Sequence, residues 1–149
     1  MSKIGVISLG CSKNLVDTEY MLALLKNCGH SLVSKPQSAE VLIINTCGFI
    51  EPAKQESINT ILEMAEYKKQ GSCKMLIVTG CLSERYKEEL KLELPEVDNF
   101  LGVHEYDKLP TLLGSAISPV AVPCLLPRIL TTPFYSAYLR ISDGCDNRC

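Results

Sequence analysis

The sequence predicts an α/β protein: a mainly parallel, five-stranded sheet with helices on both faces, followed by an extended tail. Three observations carry that expectation. Short apolar runs rich in β-branched residues occur at residues 3–9, 41–46 and 74–79; they are too short for helices and read as strands buried on both faces. Each is followed by a stretch of helical spacing, and strands alternating with helices imply parallel pairing through crossovers. Each run also ends at a cysteine placed just before helical sequence. Cys11, Cys47 and Cys81 are 36 and 34 residues apart, about one strand-plus-helix unit or slightly more each time.

In chain order, residues 3–9 make the first strand, and Ser12 is expected to cap the helix that follows. Leu15, Val16, Met21, Leu22, Leu24, Leu25 and Cys28 recur on one helical face, and Gly29 closes the helix in the left-handed conformation. Ser31 to Ser34 form a short strand, and Pro36 to Glu40 turn the chain into the buried strand 41–46. Pro52 suits the first turn of the next helix, which is expected to bury Ile58, Ile61, Leu62 and Ala65 and to stop at Gly71. Strand 74–79 follows. Ser83 is a second expected cap, for a helix through Leu94 that Pro95 ends. Asn99 to Val103 read as the fifth strand and Tyr106 to Ile117 as a last helix.

The texture then changes. Pro119, Pro123, Pro127 and Pro133 punctuate a stretch without period, which reads as a linker. Ser136 to Ile141 look like a strand, and a strand without a partner cannot satisfy its backbone. The expected division is therefore a first domain at 1–118, a linker at 119–135 and the start of a further domain at 136–149, the chain being the front part of a longer protein.

The chain has 149 residues, 46% hydrophobic and 21% charged, the composition of a globular domain with a proper core. No apolar run approaches the ~18 residues of a membrane span, and the start lacks the features of a signal peptide, so a cytoplasmic location without membrane association is expected. A net charge of -2 offers no broad basic surface, which leaves nucleic-acid binding unsupported.

Eight cysteines in such a chain point to metal or redox chemistry rather than disulfides. Position separates them. With the simplest strand order, 2-1-3-4-5, the strands ending at Cys11, Cys47 and Cys81 lie side by side, and in parallel sheets ligands collect beyond the carboxyl strand ends near the reversal of strand order. Placement before helix starts favours thiolate. Thiolates hold iron–sulfur cubanes, normally four of them, so three leave one iron open. Zinc competes, but neither His30 nor His104 stands near enough in sequence to complete its usual set. Three small packed thiols are the alternative. Cys73 lies at the other end of its strand and Cys28 on an apolar helix face, so both read as packing residues; Cys124 has no functional reading.

The motifs Gly10-Cys11-Ser12-Lys13-Asn14-Leu15-Val16-Asp17-Thr18-Glu19, Asn45-Thr46-Cys47-Gly48-Phe49-Ile50 and Gly80-Cys81-Leu82, with the stretch from Pro127-Arg128 to Cys149, resemble the methylthiotransferases of the radical S-adenosylmethionine class. The resemblance runs from Met1 to Cys149. Ser8 to Asp17 and Cys47-Gly48-Phe49-Ile50-Glu51-Pro52-Ala53 look like the branch that modifies an aspartate of ribosomal protein twelve of the small subunit. The branch acting on tRNA adenosine typically carries Gln-Met-Asn after the first cysteine, where this chain has Ser12-Lys13-Asn14.

The resemblance implies a flavodoxin- or Rossmann-like first domain, two [4Fe–4S] clusters and S-adenosylmethionine as cofactors, and methylthiolation of the aspartate β-carbon by a radical route. It implies that Cys11, Cys47 and Cys81 hold the first cluster, and that Cys145 and Cys149 begin the motif holding the second. The third cysteine of that motif is absent, so the chain by itself is expected not to turn over. Sulfur and electron donors are not specified. Asn14, Asp17, Glu19 and Asn45 match motif positions near the first cluster, as binding groups or as ordinary caps and turns, and Lys13 is a candidate contact for an acidic substrate. Outside this class, the chain reads as a non-catalytic flavodoxin-like binding module.

Overall fold

The computed structural model describes residues 1–115 and 128–142. Five strands, β1 (Lys3–Ser8), β2 (Ser31–Leu32), β3 (Val41–Thr46), β4 (Met75–Gly80) and β5 (Asn99–Phe100), pair in parallel in the order β2-β1-β3-β4-β5. Between and after them run α1 (Ser12–Asn27), α2 (Glu51–Lys69), α3 (Cys81–Glu93) and a single turn, α4 (Leu109–Leu112). β1 and β3 are neighbours although β2 lies between them in sequence, so the chain reverses direction across the sheet at that seam.

β3 is the axis of the core. All six of its residues are buried, and its pleat divides them between the two faces of the sheet. Leu42 and Ile44 join Leu76 and Val78 of β4 under Ile61, Met64 and Ala65 of α2 and Leu82 and Leu90 of α3. Val41 and Ile43 point the other way, with Ile4 and Ile77, under Met21 and Leu25 of α1 and Leu109 of α4. Each such side chain contributes roughly 1.5–3 kcal/mol by leaving water. Both faces are therefore covered, as a parallel sheet requires.

Local expectations are met unevenly. Gly29 and Gly71 follow α1 and α2 at φ +83° and +85°, the conformation that ends helices. Neither serine caps: α1 begins after Cys11 and α3 after Gly80, without a side-chain cap at either position, and Ser83 lies inside α3, buried. Leu62 is 45% exposed rather than buried, because the face of α2 that meets the sheet runs through Ile61, Met64 and Ala65. The last helix is only α4, preceded by a 3-10 turn at Tyr106–Lys108 and closed by Gly114 at φ +67°. Ser136 to Ile141 form no strand; the alternation is present without a sheet edge to pair with. Cys28 is half-buried at the end of α1 and belongs to neither core cluster. Among the described residues no helix is long and apolar enough to cross a membrane.

Candidate metal centre

Parallel pairing places the carboxyl ends of β1, β3 and β4 on one rim. Ser8 is level with Asn45, Asn45 with Thr79, and Thr46 with Gly80. Cys47 and Cys81 are the residues immediately after the last pair, at the same height on strands ~4.8 Å apart. Cys11 is carried there by the turn from β1 into α1, on the other side of the β1–β3 seam. That seam is the switch point where open α/β sheets bind ligands. The three thiols are graded in exposure, Cys11 open to solvent, Cys81 half-buried and Cys47 buried.

Glycines allow the loops to close on one another. A Cβ on Gly10, whose φ is +87°, would fall 2.5 Å from the Cys47 Cβ and 2.9 Å from its Sγ. One on Gly48 would fall 2.8 Å from the Leu82 Cα and 3.2 Å from the Cys81 carbonyl carbon. The Cys11 loop thus abuts the Cys47 loop, and the Cys47 loop abuts the start of α3.

Buried polar side chains fix these loops. The Asn14 amide donates to the carbonyls of Leu9 and Thr46, each at 3.0 Å, and its Oδ1 faces the Cys81 thiol at 3.7 Å. Asn45 donates to the Asn14 carbonyl at 2.8 Å and to Thr18 Oγ1 at 3.1 Å. The Ser57 hydroxyl accepts from the Cys47 N–H at 3.1 Å and donates to the Cys47 carbonyl at 3.0 Å. Arg85 donates to the Gly48 carbonyl at 3.2 Å. Ser57 and Arg85 were not legible as site residues, since a serine or arginine on a helix gives no sign that it reaches a loop.

Electrostatically the rim differs from expectation at Cys81. Burial pushes its thiol above the ordinary cysteine range; Cys47 and Cys11 add to that push, and Lys13 and Arg85 oppose it. Its helix is also interrupted by non-helical backbone at Tyr86. Among the described residues, no three His, Cys, Asp or Glu side chains form a ready cage for a single metal ion.

Other candidates are placed elsewhere. Lys13 pairs with Asp17 at 2.9 Å. Asp17 also binds Arg140, and Glu19 binds Arg128 at 3.0 Å and the Thr131 N–H and hydroxyl at 2.7 and 2.9 Å. These two carboxylates face the segment 128–142, not the thiols. Cys73 lies before β4, buried, its thiol 3.2 Å from the Met75 carbonyl and raised by burial. His30 bonds the Ser2 N–H and Ser115 at the amino end of β2, on the opposite rim. Cys124, Cys145 and Cys149 lie outside the described residues.

Fold and rim together define an α/β protein with three cysteines on the carboxyl rim of a parallel sheet, about its switch point. The sequence model of the uncharacterized protein family UPF0004 matches residues 3–102, the whole of that sheet, and the chain belongs to this family. It is 52% identical to a ribosomal protein uS12 methylthiotransferase, RimO, of Myxococcus xanthus, over 97% of this chain and 32% of that protein. Proteins of the same name from Solibacter usitatus and Caldicellulosiruptor saccharolyticus are each 50% identical, over 99% and 100% of this chain and 33% and 36% of theirs. The chain spans about a third of the length of these curated relatives.

Proposed function

We propose that this chain is the cluster-binding portion of a cytoplasmic methylthiotransferase whose substrate is ribosomal protein uS12, with Cys11, Cys47 and Cys81 the protein ligands of a [4Fe–4S] cluster. The observation that supports this most is the arrival of three sequence-distant cysteines on one strand-end rim, their loops abutting at Gly10 and Gly48. The relatives' names supply the reaction class and the substrate. We place Cys145 and Cys149 in the motif of a second cluster that works with S-adenosylmethionine, and divide the protein at 1–118, 119–135 and 136–149.

The donor set fits the group. Thiolates are the usual ligands of such clusters, and ligands on separate irons need not crowd round one ion. When bound, the clusters and S-adenosylmethionine supply the sulfur and the radical chemistry. The chain's own residues hold and orient. Ser57 fixes the Cys47 backbone, Arg85 holds Gly48, and Gly10 lets Cys11 and Cys47 approach. Cys11 is the exposed member of the set and Cys47 the buried one.

Anaerobic reconstitution of the chain with iron and sulfide tests the site. Uptake of about four irons, as for a cubane, is expected, and Cys47→Ala should abolish it; undiminished iron in that variant would sink the three-ligand site. In a protein of the relatives' full length carrying this chain, modification of a ribosomal-protein peptide is expected. Modification of a tRNA anticodon stem alone would replace that substrate assignment.

A further inference from the structure

Resting on the cluster reading above, we propose that Asn14 is the positioning residue that holds the three thiol loops in register with one another. It is 1% exposed, on the first turns of α1, three residues after Cys11. Its amide nitrogen carries two hydrogens, and both are used: one on the Leu9 carbonyl in the turn leading to Cys11, one on the Thr46 carbonyl immediately before Cys47. Those two carbonyls lie on opposite sides of the β1–β3 seam. Its oxygen faces the Cys81 thiol, beyond the next strand. One side chain therefore touches the segment of every cysteine in the site.

The chemistry calls for an amide. A carboxylate at this position would set oxygens against two carbonyl oxygens, and an apolar group would take this donor from the buried Thr46 carbonyl and the half-buried Leu9 carbonyl. Asn14 is itself held. The Asn45 amide bonds its backbone carbonyl, and that Asn45 is also tied to Thr18 on the next turn of α1. The residue is thus held at its backbone as well as at its side chain, which is what a group that sets the spacing of other loops requires.

With the Cys81 thiol on its Oδ1 and two carbonyls on its amide nitrogen, the one side chain serves two states of the site. Without the group it keeps the thiol turned to the rim. With the group bound, the two carbonyl bonds hold the seam at its width.

The test uses the 149-residue chain with Asn14→Ala, Asn14→Asp and a control, Ile61→Val, which trims the core without touching the rim. In the metal-free protein, alkylation at Cys81, followed by mass spectrometry, should speed up in Asn14→Ala and stay slow in Asn14→Asp, which keeps an oxygen beside the thiol. After reconstitution, both Asn14 variants should lose iron to a chelator roughly 10–100-fold faster than the parent, with Ile61→Val close to the parent. Should Asn14→Ala fail to fold, the near-isosteric Asn14→Asp carries the iron-loss arm. Parent-like alkylation in Asn14→Ala, or parent-like iron retention in both Asn14 variants, would overturn the proposal, as would equally fast loss from Ile61→Val. If the parent takes up no iron, the cluster reading fails, and the alkylation arm still decides whether Asn14 governs Cys81.

Discussion

Gly29 and Gly80 share a positive φ and differ in what surrounds them. At Gly29 nothing lies within 4 Å of an added Cβ, so Gly29→Ala meets only the left-handed backbone, about 1–2 kcal/mol. At Gly80 that Cβ would stand 2.4 Å from the Thr46 carbonyl oxygen and 2.8 Å from its nitrogen, and a paired strand cannot yield. Gly80→Ala is expected to lower the thermal midpoint by clearly more than Gly29→Ala, and to impair iron uptake because it wedges β4 away from β3 beside Cys47 and Cys81. Denaturation followed by circular dichroism, with iron analysis after reconstitution, checks both parts. The cysteines of the rim were legible from sequence because each ends an apolar strand. Asp17 and Glu19, which match motif positions near the first cluster, turn to the segment 128–142, each taking an arginine more than a hundred residues away, Asp17 in addition to Lys13 four residues before it.

At the scale of elements, the sheet and its order follow from the alternation of apolar runs with helical stretches, which is why β1, β3 and β4 fall within a residue or two of expectation. The starts of α1 and α2 also fall within a residue of expectation, whereas α3 begins at Cys81, ahead of Ser83, because the backbone turns there on Gly80 rather than on a capping hydroxyl. The loop after β5 shows a different kind of control. Glu105 accepts from the Gly102 N–H at 2.7 Å and pairs with Lys87 and Lys108; the Lys108 bond first, then the Gly102 N–H and Lys87, push its carboxyl down to about 2. A carboxyl whose pKa is depressed on folding stabilises above its unfolded value, ~4.3, and loses that contribution as pH falls toward about 2. Between those limits, the gap in stability between the parent and Glu105→Gln should narrow as the pH is lowered. Urea midpoints at pH 7, 4 and 2.5 measure this, and a constant gap would count against it.

At the scale of the molecule, the segment 128–142 is held against α1 although no regular structure joins them. Glu19 is 1% exposed and takes Arg128 and Thr131, Asp17 takes Arg140, and both guanidinium groups lie over the Tyr20 ring at 6.0 and 5.8 Å. Charge-assisted hydrogen bonds of this kind contribute about 1.5–3 kcal/mol. Arg128→Ala is therefore expected to speed amide exchange at Ile129 and Thr131, whose N–H groups bond Glu19, by roughly tenfold to a hundredfold, leaving the amides of β3 and β4 as slow as before. Equal acceleration in the sheet would mean that the two parts open together. This docking was invisible to a reading that saw only prolines and an unpaired alternation there, because its partners are brought together by the fold and not by sequence spacing.

The nested glycines at the rim have a consequence for how the three turns can vary. Since Gly10 lies against Cys47 and Gly48 against Leu82, lengthening any one of them by a residue would dislodge its neighbours, so change there must be concerted. Gly71 and Gly114 sit in open space, and an insertion at either would be absorbed locally.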